Sequence, residues 1–260
     1  MFKQTPIEAL VKIARFLDTT YDCLRDGYRT DRDDYTFTGD EIVFLSSSSM
    51  APATDVPDGD LSSLPLAYQV EEVDEGAETL ESISESIYQC HACPLGKTRS
   101  MAVPGEGSPH PKVLVIGEGP GAEEDASGRP FVGPAGQLLD KMLASIGLSR
   151  EENCFIANVV KCRPPENRDP LPGEITACGA FLERQISILE PMAILCVGRV
   201  AATTLLKSSE GIGRLRGRFF GYRGIPLLAT YHPSAILRDE SLKRPVWEDL
   251  KLLRDKLAER

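Results

Sequence analysis

The sequence predicts a three-layer α/β/α domain with a central, mainly parallel sheet of four strands, and three observations support this. Beyond residue 86, short apolar runs alternate with longer amphipathic segments, which is the order of strands and helices in α/β proteins. The apolar runs are nearly continuous, as expected of parallel strands covered on both faces. The chain has 260 residues, 42% of them hydrophobic and 26% charged, so it can bury a substantial core.

The predicted strands and helices follow in order along the chain. The strands are predicted at 112–117, 154–160, 193–198 and 226–231. The helices are predicted at 134–147, 174–190, 199–207 and 245–258, the last with Pro245 in its first turn. Ligands of open parallel sheets bind outside the carboxyl ends of the strands, so the residues after each strand are the candidates for a functional site.

The N-terminal third has a different character from the rest of the chain. Residues 1–90 carry 6 Lys/Arg and 19 Asp/Glu, whereas residues 91–260 carry 23 and 20. Helical spacing of apolar residues predicts a short amphipathic helix over 1–18, and acidic, Ser/Pro-rich composition predicts a mostly disordered linker over 19–85. The main domain is then 86–260. The first helix either packs back on that domain or docks a protein partner.

Composition also indicates where the protein works. No apolar run approaches the roughly 18–20 residues needed to cross a bilayer, and the first residues lack a secretory signal, so we expect a cytoplasmic protein without membrane contact. Seven cysteines in such a chain argue against a disulfide framework and favour metal ligands or buried thiols.

A glycine-rich loop follows the first predicted strand, with the sequence GEGPG over 117–121 and acidic residues after it. It is not a dinucleotide-binding fingerprint, because Pro120 removes a backbone donor and the carboxylates would repel a pyrophosphate. Such a loop suits close approach to a neutral, flat ligand, with a carboxylate able to hold a water. A tight turn with solvent-facing acids is the alternative.

Three further side chains lie where a ligand is expected. Phe131 sits in a Gly/Pro frame over 128–136, where it either stacks on a planar ring or belongs to the core. Asn158 ends the second strand, and its amide offers the donors and the acceptor that complement a base edge, or caps a loop. His232 follows the last strand, either as a ligand-contacting or as a structural histidine.

Four cysteines have spacings typical of a metal site. Cys90 and Cys93 form C-x2-C, and Cys162 and Cys178 follow from elsewhere in the chain. Zinc and an iron–sulfur cluster both satisfy these spacings, and buried thiols are the remaining alternative.

Taken in order, these motifs resemble the family 4 uracil-DNA glycosylases, iron–sulfur enzymes of the uracil-DNA glycosylase superfamily. The resemblance covers about 86–258 and leaves 1–85 outside. It rests on C-x2-C-P-L at 90–95, GEGPG with ED at 117–125, GRPFVGPAGQLL at 128–139, ANVVKCRPP at 157–165, Cys178, and HPS at 232–234.

The resemblance implies an enzyme of base excision repair that flips uracil out of DNA and hydrolyses its N-glycosidic bond, leaving an abasic site. Phe131 would stack on the uracil and Asn158 would bond its O4 and N3 edge. Backbone amides at Gly119 and Gly121 could line the pocket. Uracil-containing DNA is then the partner, and we expect a monomer.

For the bond cleavage, the resemblance implies that His232 donates a hydrogen bond to O2 of the departing base. Glu118 would position the attacking water, and Glu124 is a second candidate for that role.

The resemblance also implies DNA contacts and a cofactor. Leu237 or Ile236 would fill the gap left by the flipped base, with Arg238 beside them. Lys161, Arg163 and Arg168 would approach phosphates. The four cysteines would hold a structural 4Fe-4S cluster: Cys90, Cys93, Cys162 and Cys178.

Two other classes of function compete with this interpretation. An iron–sulfur electron carrier or redox module would explain the cysteines but not the three polar and aromatic groups at strand ends. A catalytically silent DNA-binding module would keep the fold and bind DNA without releasing the base.

Overall fold

A computed structural model of the protein describes residues 78–259, which contain a six-stranded sheet between two helical layers. The strand order is β1-β3-β2-β4-β6-β5. The bounds are Glu106–Gly107 (β1), Val113–Gly117 (β2), Cys154–Asn158 (β3), Ala193–Val197 (β4), Phe219–Tyr222 (β5) and Ile225–Thr230 (β6). The four predicted strands are confirmed as β2, β3, β4 and β6, which pair in parallel.

The two edge strands correct the prediction of a four-stranded sheet. β1 has only two residues and pairs antiparallel with β3, while β5 forms an antiparallel hairpin with β6. Strands this short or this exposed lack the continuous apolar run by which the central strands are recognised.

Helices confirm the predicted alternation and extend it. The bounds are Leu80–Tyr88 (α1), Leu95–Thr98 (α2), Ala122–Ser127 (α3), Pro134–Ala144 (α4), Pro172–Leu189 (α5), Arg199–Leu206 (α6), Ile212–Leu215 (α7), Pro233–Arg238 (α8) and Lys243–Ala258 (α9), with 3-10 turns at Pro165–Asn167 and Glu240–Leu242. The four helices predicted from sequence correspond to α4, α5, α6 and α9. Among residues 78–259, no helix is both long enough and apolar enough to cross a membrane.

Helix α1 lies partly in the segment predicted as linker, 19–85. α1 begins at Leu80, before residue 86, and Thr79 caps it by accepting a hydrogen bond from the Ser82 amide at 3.2 Å. Its Ile83 and Ile87 are buried and pack with side chains of α5. The folded domain therefore starts ahead of the predicted boundary. The helix predicted over 1–18 and most of the predicted linker lie outside the described residues.

The central strands bury side chains on both faces, because alternate residues of a strand point to opposite sides. On β2, Leu114 and Ile116 pack in one apolar cluster with α5 and α6. Val113 and Val115 pack in the other cluster, with α4, α8 and α9. Because β2, β3, β4 and β6 are parallel, they end at the same edge of the sheet, and the loops that follow them converge there.

A buried carboxylate fixes α9 to the sheet near that edge. Asp249 is fully buried and accepts hydrogen bonds from Thr230 Oγ1 at 2.6 Å and from Arg216 Nε at 2.9 Å and Nη2 at 2.8 Å. The Arg216 guanidinium also donates to the Pro245 carbonyl. Since Thr230 is the last residue of β6, this cluster supports the strand that leads to His232.

We expect Asp249→Ala to lower the free energy of unfolding by about 3 kcal/mol, because it leaves the partly buried Arg216 guanidinium and the Thr230 hydroxyl without their acceptor. Urea denaturation measures the change. Asp255→Ala is the matched control, since Asp255 lies on the same helix but is exposed, and it should change stability by less than about 0.5 kcal/mol. Equal losses in the two variants would contradict a special role for the buried cluster.

Candidate active site

One cavity of about 510 Å³ lies at the carboxyl edge of the parallel strands. It is lined by all the residues predicted to bind or convert the substrate: Glu118, Gly119, Gly121, Glu124, Phe131, Asn158 and His232. Arg168, Asp169, Arg199 and Arg238 add charged groups to its wall. The structure thus brings together side chains that are far apart in the sequence.

Glu118 follows β2 and is half-buried in the cavity wall. Burial raises the pKa of its carboxyl group, Asp169 raises this pKa further, and the nearby Arg199 guanidinium opposes both. A carboxylate with a raised pKa binds a proton more readily than an exposed one, so it suits a group that holds and deprotonates a water.

Glu124 has a different environment, because both of its oxygens are occupied by backbone amides. Oε2 accepts from the Gly121 amide at 3.0 Å, and Oε1 accepts from the amides of Val132 at 2.9 Å and Gly133 at 3.1 Å. The carboxylate therefore bridges the loop after β2 and the loop that carries Phe131. This geometry favours Glu118 over Glu124 as the group that holds a water.

Phe131 is buried, with 6% of its surface exposed, yet its ring lines the cavity. Its ring centroid lies 5.6 Å from that of His232, with 33° between the ring planes. The backbone of Phe131 has φ +52°, a left-handed conformation that costs an ordinary residue about 1–2 kcal/mol. The ring therefore packs against the core and also faces the cavity, and its stacking on a ligand stays a prediction.

Asn158 ends β3 and is only 1% exposed. Its Oδ1 is buried and has no hydrogen-bond partner among the described residues. Leaving a buried acceptor unsatisfied costs about 1–3 kcal/mol, so the atom is a candidate acceptor for a ligand donor.

Two glycines that the sequence analysis did not assign make room for these side chains. A Cβ on Gly117 would lie 2.4 Å from Asn158 Oδ1 and 2.6 Å from Phe131 Cζ. Gly198, at φ +100°, follows β4, and a Cβ there would lie 3.1 Å from the His232 Cβ. Both glycines follow the apolar residues of a predicted strand, which is the signal that could have identified them.

His232 lies between β6 and α8 and caps the helix. Its Nδ1 accepts a hydrogen bond from the Ser234 amide at 3.1 Å and lies 2.8 Å from Ser234 Oγ. Because the amide must donate, Nδ1 carries no proton, and the neutral ring carries its proton on Nε2. The pKa of His232 is lowered to about 4, mainly by burial and also by the charge of Arg238, while the Glu124 carboxylate opposes both effects. The imidazole is therefore a neutral donor near pH 7.

The predicted DNA wedge is corrected in part. Ile236 is 3% exposed and packs in the core cluster with α4 and α9, so its prediction as a wedge is wrong. On the other face of α8, Leu237 is 53% exposed, and Arg238 is exposed at the cavity wall. A helix that covers the core on one face can offer only its outer face to DNA.

The predicted phosphate contacts also differ from one another. Lys161 is 1% exposed and donates from Nζ to Gln185 Oε1 at 2.6 Å, so its prediction as a phosphate contact is wrong. Arg168 binds both oxygens of the buried Glu174 carboxylate at 2.8 and 2.7 Å. Arg163 lies outside the cavity, half-exposed, with Nε bonded to Asn167 Oδ1 at 2.8 Å.

The four predicted metal ligands surround one small second cavity, together with Arg99 and Lys161: Cys90, Cys93, Cys162 and Cys178. All four are free cysteines. Donors point at three of the sulfurs, since Arg99 Nη1 lies 3.0 Å from Cys162 Sγ, the Lys161 amide 3.3 Å from Cys178 Sγ, and the Ala92 amide 3.5 Å from Cys90 Sγ. Such donors suit thiolates.

Four free thiols around one cavity are candidate ligands for a metal group. Within residues 78–259, no three His, Cys, Asp or Glu side chains form a group that could hold one metal ion. In a 4Fe-4S cluster four thiolates bind different irons, so the sulfurs need to surround a space and not a single point.

The sequence matches a known protein family and several of its members. The family model for the uracil DNA glycosylase superfamily matches residues 104–251. The chain is 42% identical over 191 residues to a type-4 uracil-DNA glycosylase of Saccharolobus solfataricus, a match that covers 70% of this chain and 88% of the relative. It is 44% identical over 178 residues to that of Thermotoga maritima, covering 67% and 92%. The chain therefore belongs to the uracil DNA glycosylase superfamily.

Proposed function

We propose that the protein is a uracil-DNA glycosylase of base excision repair, which flips uracil out of DNA and hydrolyses its N-glycosidic bond. The observation that carries this proposal is the unsatisfied, buried Oδ1 of Asn158 in a cavity that also holds the Phe131 ring and a neutral His232 donor. An electron carrier has no use for this combination of an amide, a ring and a fixed hydrogen-bond donor. Acting on genomic DNA, the protein would work inside the cell.

Base recognition follows from the chemistry of the amide. Asn158 Oδ1 would accept from uracil N3–H, and its Nδ2 would donate to uracil O4. Cytosine presents an acceptor at N3 and a donor at N4, so the same amide would face it with like groups and reject it. The Phe131 ring would stack on the flipped base.

Cleavage of the bond leaves negative charge on uracil and positive charge on the deoxyribose. His232 would donate from Nε2 to uracil O2 and stabilise the departing anion without transferring a proton. Glu118 would hold the water that adds to C1′ and accept its proton, and as a carboxylate it would stabilise the positive sugar. Glu124, with both oxygens occupied, would keep the two loops in place.

Contacts to the rest of the DNA come from side chains near the cavity. Leu237 would enter the stack where the base has left, and Arg238 and Arg163 would contact phosphates. Most of these contacts do not depend on base sequence. The protein would then recognise uracil after flipping it into the cavity, and not by contacting base edges in a groove of the duplex.

We also propose that Cys90, Cys93, Cys162 and Cys178 hold a structural 4Fe-4S cluster. When bound, the cluster would supply a covalent cross-link between the segment around α2, the loop after β3 and helix α5. Cys162 follows the strand that ends at Asn158, so the link would steady this side of the cavity.

Base release from an oligonucleotide with one uracil tests the proposed function, with an otherwise identical thymine oligonucleotide as substrate control. The wild type should release uracil and leave thymine. We expect His232→Ala to lower the rate about 10²–10³-fold, since it removes the donor to the developing anion, and to leave DNA binding unchanged. Binding of DNA by a folded wild type without any release of uracil would favour the silent DNA-binding module instead.

The acid side of the pH–rate profile should report Glu118. Its pKa is raised above the ordinary value of 4.5, whereas that of His232 is lowered to about 4. As the pH falls, Glu118 should therefore be protonated first, and the single-turnover rate should decline with a midpoint above pH 4.5. The variant Glu118→Gln should be slow and should lose this decline, while His232→Gln should be slow and keep it. The same decline in Glu118→Gln would assign it to another group.

Iron content tests the cluster. The purified wild type should contain about four irons per chain and absorb visible light. We expect Cys162→Ser to lose most of this iron, whereas Cys154→Ala, which alters a buried cysteine of β3 away from the second cavity, should keep it. Stoichiometric zinc in place of iron would overturn the choice of cluster.

A further inference from the structure

A buried arginine, which the proposed reaction does not use, holds the backbone on which the Phe131 ring depends. Arg150 lies in the turn before β3 and is 6% exposed. Its Nη1 donates to the Pro130 carbonyl at 2.9 Å and its Nη2 to the Phe131 carbonyl at 2.9 Å. One guanidinium thus binds two successive carbonyls at the residue with the left-handed backbone.

Carboxylates balance the charge of this guanidinium. Asp140, on α4, accepts from Arg150 Nε at 3.0 Å and from Nη2 at 2.8 Å through the same oxygen. Glu106, on β1, lies 3.7 Å from Arg150 Nη1 and binds Arg129 more closely. Arg150 therefore joins the edge strand, α4 and the Phe131 loop at one point.

Close packing restricts the Phe131 backbone in addition to its hydrogen bond with Arg150. A Cβ on Gly136 would lie 1.9 Å from the Phe131 carbonyl oxygen, so the first turn of α4 packs directly against the peptide group that Arg150 binds. The ring in turn lies against Gly117 and beside Asn158 Oδ1. A small rotation of the Phe131 backbone would move the ring into the space that a base would occupy or away from it.

We propose that Arg150 is a positioning residue, which fixes the plane of the Phe131 ring and thereby sets the affinity of the cavity for the uracil base. The proposal rests on the proposed function, because it assumes that the ring stacks on uracil. A lysine cannot replace the arginine fully, since its ammonium lacks the planar fork that reaches both carbonyls and Asp140 together. Because Arg150 is buried, we expect DNA binding outside the cavity not to depend on it.

Inhibition of the wild-type and variant enzymes by free uracil tests this proposal, because free uracil binds the cavity without the rest of the DNA. We expect Arg150→Gln to raise the inhibition constant of uracil about tenfold, as for loss of a well-placed aromatic contact. We expect Arg150→Lys to raise it about threefold. Affinity for the thymine oligonucleotide should stay within about twofold in both variants.

Arg129→Gln is the matched control. Arg129 carries the same charge as Arg150, binds the same Glu106 carboxylate and lies in the Phe131 loop, but it is exposed and makes no hydrogen bond to the Phe131 carbonyl. Its inhibition constant should remain within about twofold of the wild type. Thermal melting identifies any variant that does not fold, and if Arg150→Gln does not fold, Arg150→Lys decides.

An inhibition constant within about twofold of the wild type in the folded Arg150 variants would overturn the proposal and leave Arg150 as a contact for folding alone. A wild type that releases no uracil would instead overturn the proposed function. The two failures are therefore distinguishable in one series of measurements.

Discussion

The cavity depends on the absence of a side chain at the end of β2. Asn158 Oδ1 and the Phe131 ring both occupy the space that a Cβ on Gly117 would take, at 2.4 Å and 2.6 Å. The group proposed to read the base edge and the ring proposed to stack on it are thus fixed against the same stretch of bare backbone. Because β2 is a central, fully buried strand, this reference point cannot shift without disturbing both layers of the core.

The remaining parts of the site hold the loops to that reference point. Glu124 joins the loop after β2 to the Phe131 loop through three backbone amides. Asp249 and Thr230 secure the end of β6, from which His232 projects. Each support is a buried or half-buried charge bonded to backbone or to a partner, and such groups hold one geometry because breaking any of their bonds leaves a charge without compensation.

The central strands and the cavity residues could be predicted from sequence, whereas the edge strands and the supporting residues could not. Continuous apolar runs identify buried parallel strands, and the ends of such strands locate Asn158 and His232. Nothing local distinguishes Lys161, which is buried and donates to Gln185 of α5, from an exposed lysine, or Ile236 from its neighbour Leu237 on α8. In the sequence Arg150 resembles any other turn residue, because the carbonyls that it binds belong to residues twenty and nineteen positions earlier. Burial and long-range pairing are decided by the assembled fold.

The hydrogen bond from the Ser234 amide to His232 bears on the range of bases that such a site can remove. An imidazole whose one lone pair is already engaged, and whose pKa lies near 4, has no spare proton to supply at neutral pH. In the proposed reaction the departing base must then carry away its own negative charge, and its acidity sets the barrier. Pyrimidines that form stable anions satisfy this demand. Bases that leave readily only after gaining a proton would have to obtain it from solvent, which makes leaving-group chemistry a second selection beside the shape of the cavity.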